Sequence, residues 1–364
     1  MPAVVASAPG RVNLIGEHTD YNRGLCLPLA LPQRTTVTLV PRHDLRLRLS
    51  SAQEDDDWEG VVEDRPGGWA AYVAGVVQAL RADGHDVPGF EATVDSDVPV
   101  GAGLSSSAAL ECAVATAVAR LLGLDLADRV VRRRLALACM RAENDYVGAP
   151  TGGMDQSVAM LAEPGHALLL DFDDGSAVPV GLPLDDADLV LLVIDTRVSH
   201  ALTDGDYGNR RAESADAARA LGVDSLRAVD AGRVEELEDD VLRRRARHVV
   251  SENLRVLSAV GAIGDRDWDA LARVLDASHA SMRDDFEISC RELDLAVETA
   301  RSAGALGARM TGGGFGGSAL ALVPRHAVDG VQSAVSSAFG EAGLADPAYL
   351  RATPSDAARL ESLS

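Results

Sequence analysis

The chain has 364 residues, 47% of them hydrophobic and 25% charged. This is the balance of a soluble globular protein and excludes a disordered or fibrous chain; at about 150 residues per domain it predicts two or three domains. All 34 basic residues are arginine and none is lysine, which excludes a Schiff-base or PLP lysine, a Walker A lysine and the strand lysine of a protein kinase. The net charge of −22 repels nucleic acid and anionic lipid surfaces, so neither is an expected partner.

Cys26, Cys112, Cys139 and Cys290 are too far apart for a zinc motif and too few for a disulfide framework. They are expected to be reduced thiols in the core. The segment Met1–Ala8 lacks a basic run before its apolar residues, and no stretch approaches the ~18 apolar residues of a membrane span. These features point to the cytoplasm.

In chain order, Val4 to Ile15 and Cys26 to Val40 read as apolar strands, and Leu45 to Leu49 alternates leucine with arginine as a half-exposed strand does. Trp69 to Leu80 has helical apolar spacing, Phe90 to Val94 reads as a strand, and long helices follow over Ser105 to Leu122 and Arg129 to Tyr146. The Pro, Gly and Asp cluster from Asp173 to Asp188 marks the best boundary, because a fresh apolar strand, Leu189 to Ile194, follows it. Beyond it lie helices near Arg210–Leu221, Arg233–Val260, Trp268–Arg283 and Cys290–Ser302, then a strand over Ser318–Val323. The pattern is α+β: two lobes, residues 1–180 and 181–364, with mixed β-sheets and flanking helices.

Four segments carry chemistry. In PVGAGLSSSAALE, within Val98–Glu111, Gly101 and Gly103 precede Ser105, Ser106 and Ser107 at a helix start. Free N–H groups and the helix dipole favour an anion there, and the hydroxyls can bind phosphate or Mg²⁺, although an ordinary serine cap describes the segment equally well. Thr311–Gly317 (TGGGFGG) contains G-x-G-x-x-G through Gly312, Gly314 and Gly317. It leads into a strand instead of a helix, which argues against a dinucleotide fingerprint and for a tight loop approached closely by a ligand or another backbone. In APGRVNLIGEHTDY, Arg11, Glu17, His18 and Asp20 crowd behind an apolar strand. Such a set suits a polyhydroxylated ligand, with metal binding as the rival. In ENDYVGAPTGGMDQ, Glu143 and Asp155 flank a Gly-rich turn, where a lone Asp is more often a cap.

Together these segments resemble the galactokinases, members of the GHMP small-molecule kinases. GRVNLIGEHTDYN has the form of the galactokinase signature, PVGAGLSSSAALE of the shared ATP loop, and RMTGGGFGGSALALV of the third family motif. DGDYGNRRAE (Asp204–Glu213) and SHASMRDDFEISCRELD (Ser278–Asp294) resemble further galactokinase segments.

The resemblance implies a GHMP kinase fold with substrate and nucleotide in the cleft between the lobes, and ATP-dependent phosphorylation of galactose at its C1 hydroxyl. By the same resemblance Arg11 and Asp155 are catalytic, while Glu17, His18, Asp20, Gly152 and Tyr207 contact the sugar. Gly101, Gly103, Ser105, Ser106 and Ser107 cradle the triphosphate, Trp69 lies near the adenine, and Ser107 with Glu143 holds Mg²⁺. A sibling kinase of N-acetylgalactosamine or L-arabinose is the nearest alternative, and a non-catalytic galactose and ATP sensor a more distant one. A monomer or weak dimer is expected. Galactokinases usually carry a longer segment before the first motif, so the chain is expected to be short there or to have been started late.

Overall fold

Residues 2–149, 151–198 and 205–362 are described by the structure, a computed structural model. The first apolar run forms β1 (Val4–Asn13), and the next breaks into β2 (Leu25–Cys26) and β3 (Pro28–Pro41). β4 (Leu47–Ser51), β5 (Trp58–Gly60), α1 (Trp69–Ala82) and β6 (Phe90–Ser96) follow, then α2 (Ser106–Leu121), α3 (Arg129–Arg141) and α4 (Met154–Leu161). β7 (His166–Asp171) and β8 (Ser176–Gly181) pair as a hairpin ahead of β9 (Leu189–Asp195).

The rest of the chain begins with the helices α5 (Gly205–Ala220), α6 (Ala231–Val234), α7 (Asp240–Asp265), α8 (Trp268–Asp284) and α9 (Arg291–Ser302). β10 (Gly307–Thr311), β11 (Ser318–Pro324), α10 (Val328–Glu341), β12 (Ala348–Ala352) and β13 (Arg359–Glu361) complete it.

Among the described residues the strands form three sheets, in orders β13-β1-β3-β6-β4-β5, β10-β11-β9-β12 and β2-β7-β8. The first is covered by α1 to α4 through a core that includes Val37, Leu39, Phe90, Val114 and Val118, and the second by the later helices through Ile194, Phe286, Val297 and Phe339. A third core joins the two: Val12, Leu14, Leu27 and Leu29 from the first motif and its partner strands pack with Leu191, Val193, Val256 and Leu320. The last strand, β13, returns to pair with β1.

Two helices differ from the sequence pattern. The run expected from Arg233 to Val260 is interrupted, because Asp239 accepts hydrogen bonds from the N–H groups of Val241 (2.8 Å) and Leu242 (3.1 Å) and so starts α7 afresh. The helix expected to reach Tyr146 is regular only to Arg141; over Ala142–Val147 it widens to a π turn, with Gly148 and Ala149 N–H both 3.0 Å from Glu143 O. The Asp173–Asp188 cluster, expected as a boundary, contains β8.

The register of β1 shifts between Pro9 and Arg11. A Cβ on the intervening Gly10 would lie 2.8 Å from Leu104 O, whereas Arg11 N–H donates to that oxygen at 3.0 Å. The bulge therefore aims Arg11 at the serine loop.

Candidate active site

Arg11, 6% exposed, makes a fork to Asp155: Nε to Oδ1 and Nη2 to Oδ2, both at 2.8 Å. Its Nη1 donates to Gly103 O at 2.5 Å. Ser105 precedes α2 in the left-handed region, at φ 60°, and makes no side-chain cap; its hydroxyl donates to Asp155 Oδ2 instead. An ordinary serine cap is thus not what the structure holds, and the first turn of α2 keeps its N–H groups without a side-chain cap. Asp155, in the first turn of α4, draws together the first motif and the serine loop.

Two adjoining cavities share Arg11, Asp155 and Gly313. The larger, about 380 Å³, is lined by Gly101, Gly103, Ser105, Ser106, Ser107 and the Gly-rich loop before β11. The smaller, about 160 Å³, is lined by Glu17, His18, Asp20 and Tyr207 among others. A third hollow of about 250 Å³ lies on the far side of the serines and includes Trp69 and Tyr72. Wider hollows of about 410 and 430 Å³ lie elsewhere, lined largely by aliphatic side chains, and hold none of these residues.

Gly152 borders the smaller cavity through Asp20, since a Cβ there would sit 2.2 Å from the Asp20 carboxylate. Asp20 Oδ1 accepts the Tyr21 N–H at 2.9 Å. Burial, with the nearby Asp155 charge adding to it, nevertheless raises the Asp20 carboxyl to about 6.

His18 is lowered to about 3 by burial, reinforced by His248, and so is neutral. Its Nε2 faces Gly313 O at 3.1 Å and its Nδ1 the Tyr21 hydroxyl at 2.7 Å. A carbonyl only accepts, so the network assigns the proton to Nε2, with Nδ1 accepting from Tyr21. Both ring nitrogens are thereby engaged within the protein, and the ring also packs against Tyr207 at a centroid distance of 4.8 Å. Burial raises the Tyr207 phenol, which remains a neutral donor.

Glu143 is 5% exposed. Its Oε1 accepts from the Ser107 hydroxyl at 3.0 Å and its Oε2 from Gln156 Nε2 at 2.6 Å, an amide that also donates to Glu111 at 3.0 Å. Burial and then repulsion from Asp155 raise the Glu143 carboxyl, strain that a cation would relieve. Among the described residues no three His, Cys, Asp or Glu side chains could hold a metal by themselves. An ion here would therefore complete its shell with water and phosphate oxygens, as Mg²⁺ commonly does.

Of the residues expected from the sequence, Arg11, Asp155, Glu17, His18, Asp20, Tyr207, Gly101, Gly103, Ser105, Ser106, Ser107 and Trp69 line these cavities, whereas Glu143 and Gly152 stand behind the lining, against Ser107 and Asp20. Asp204, the first residue of the DGDYGNRRAE segment, lies outside the described residues, as does Pro150. Sequence reasoning missed Gln156 and Arg309. Arg309, 0% exposed, pairs with Glu17, and its presence in RMTGGGFGG was the only signal. The Ser278–Asp294 segment also gains a role: Ile288 O accepts from Phe315 N–H at 2.6 Å, and a Cβ on Gly314 (φ 84°) would lie 2.5 Å from that oxygen.

The chain matches the family models for the GHMP kinases N terminal domain over residues 71–163 and the GHMP kinases C terminal over 259–341. Its fold agrees over 98% of the chain with L. major mevalonate kinase at a TM-score of 0.65 and 20% identity. Fold and site thus define a GHMP kinase. Residues 1–41 further match the galactokinase galactose-binding signature. The chain is 50% identical to the galactokinase of Mycobacterium tuberculosis, covering 94% of this chain and 95% of that one. It is 43% identical to that of Bos taurus, covering 93% and 88%. The crystal structure of Lactococcus lactis galactokinase complexed with galactose superposes with a TM-score of 0.93 at 33% identity, covering 98% and 95%. The chain belongs to the galactokinase family.

Proposed function

We propose that this enzyme transfers the γ-phosphoryl group of ATP to the C1 hydroxyl of galactose, giving galactose 1-phosphate and ADP. The observation that carries the reading is the Arg11–Asp155 fork on the wall shared by two cavities. One cavity opens on an uncapped helix start suited to phosphates, and the other is lined by acceptors and a phenol suited to sugar hydroxyls. The galactose in the Lactococcus lactis relative supports the choice of sugar.

A carboxylate offers about four lone-pair sites. Three donors already occupy Asp155: two N–H groups of Arg11 and the Ser105 hydroxyl. The remaining site orients the C1 hydroxyl and takes its proton as the new O–P bond forms. Arg11 supplies permanent positive charge beside the phosphoryl group, whose transfer depends on positioning and charge neutralisation.

The helix start and Ser105 to Ser107 hold the triphosphate, and Trp69 flanks the adenine at the third hollow. Glu143 and the Ser107 hydroxyl would hold Mg²⁺, which would neutralise charge on the phosphates. Glu17, Asp20 and Tyr207 bind sugar hydroxyls, and His18 holds Gly313 and Tyr21 in place beside them. Four free thiols, three of them buried, support a reducing, cytoplasmic setting. No helix among the described residues is long and apolar enough to cross a membrane.

Asp155→Asn tests the reading. It is expected to lower kcat by about 10²–10⁴-fold while galactose still binds in calorimetry. Retained turnover would remove Asp155 from the mechanism.

A further inference from the structure

The smaller cavity rests on a group that does not line it. Arg309, on β10, is 0% exposed and lies beneath the loop that follows β1. Its Nη1 donates to Leu14 O at 2.9 Å and Asn13 O at 3.3 Å, and its Nη2 pairs with Glu17 Oε2. The other Glu17 oxygen accepts the Gly312 N–H at 3.1 Å. Burial raises the Glu17 carboxyl, and Arg309 is the attraction that opposes it.

The same loop is held from α7 and α8. Glu252 Oε1 accepts the Gly16 N–H at 3.1 Å and the Ser278 hydroxyl at 2.6 Å, and lies 3.6 Å from Arg309 Nη2; Glu252 Oε2 accepts from Arg255 at 2.6 Å. Two carboxylates are thus matched by two guanidinium groups. With one lone pair on each oxygen committed, Glu17 has its remaining acceptor sites fixed in direction, and it lines the cavity. The planar guanidinium reaches two carbonyls and a carboxylate in fixed directions, whereas the three donors of an ammonium group sit at one point on a flexible stem and hold the carboxylate less rigidly.

We propose that Arg309 is a positioning residue for sugar selectivity, fixing the Glu17 carboxylate so that its free acceptor sites meet one hydroxyl of the bound sugar. This rests on the sugar-kinase reading of the same cavity.

The test compares wild type, Arg309→Lys, Glu17→Gln and the double variant Arg309→Gln/Glu17→Gln in galactose KM, ATP KM, kcat and melting temperature. A panel of monodeoxygalactoses is run alongside. Arg309→Lys is expected to raise galactose KM at least about tenfold, with ATP KM unchanged within about twofold. One deoxygalactose that wild type binds at least about tenfold more weakly than galactose should bind Arg309→Lys and Glu17→Gln nearly as well as galactose does.

Should the lysine variant fail to fold, the neutral double variant removes both buried charges together, and its galactose KM is expected to equal that of Glu17→Gln. A folded Arg309→Lys with wild-type galactose KM and selectivity overturns the inference. So does a double variant at least about tenfold weaker for galactose than Glu17→Gln. Wild-type protein that neither binds nor phosphorylates galactose overturns the function proposed above as well, whereas normal wild-type turnover with an insensitive Arg309 overturns this inference alone.

Discussion

Replacing Asp20 with Asn should make the free enzyme more stable and a poorer kinase. The carboxyl is raised from an ordinary 3.8 to about 6, chiefly by burial, a displacement that corresponds to roughly 3 kcal/mol. Asp20 is partly exposed to the cavity, and solvent screening reduces this to about 2 kcal/mol. A carboxyl raised on folding lends stability below its unfolded value near 3.8 and loses it as pH rises through about 6. At pH 8 wild type therefore carries the full cost of an ionised Asp20, and the amide does not.

Asn can still accept the Tyr21 N–H. With about 2.1 cal/mol/K of unfolding entropy per residue, the gain should appear as a melting temperature higher by about 2–3 °C at pH 8. It should shrink below pH 6 and vanish near pH 4. The cost falls on the substrate: exchanging a charged acceptor for a neutral one loses about 1–2 kcal/mol, or about 5–30-fold in galactose KM. Melting curves at pH 8, 6 and 4 with matched kinetics decide the matter. A destabilised Asp20→Asn at pH 8, or a change of equal size at every pH, would refute the reasoning.

Other perturbations separate the two substrates. Gly152→Ala places a methyl 2.2 Å from the Asp20 carboxylate and should raise galactose KM by about tenfold or more while leaving ATP KM within about twofold; steady-state kinetics in each substrate checks this. Trp69→Ala should do the reverse. Removing the indole beside Ser106 and Ser107 should raise ATP KM by roughly 5–30-fold, as loss of one base-stacking aromatic does, without changing galactose binding in calorimetry.

What could be read from sequence was local. β1, β3, α1, α2 and α8 declared themselves through apolar periodicity, and the bounds of α1 and α8 fall within a few residues of the expected ones. β10 and β13 are short strands identified only by their partners, β11 and β1, so nothing in their own residues marks them. The break before α7 turned on a single Asp239 cap inside an otherwise helical run.

At the site, clustered residue types and family resemblance named most of the polar residues that line the two adjoining cavities, but not Thr151 or Thr311. The supporting bonds were not legible: Ser105 to Asp155 spans 50 positions, Glu17 to Arg309 spans 292, and Gln156 bridges Glu111 and Glu143. Such bonds follow from tertiary packing, which no local pattern encodes. The missing lysine also finds its place, since the proposed mechanism calls on Arg11, serine hydroxyls and a helix start and on no lysine.

The most direct test follows ADP release from ATP and Mg²⁺ with galactose, N-acetylgalactosamine and L-arabinose supplied separately. Galactose is expected to be turned over with kcat/KM at least about tenfold above either other sugar, yielding galactose 1-phosphate. Turnover of another sugar without galactose, or binding of galactose and ATP without release of ADP, would contradict a galactose 1-kinase.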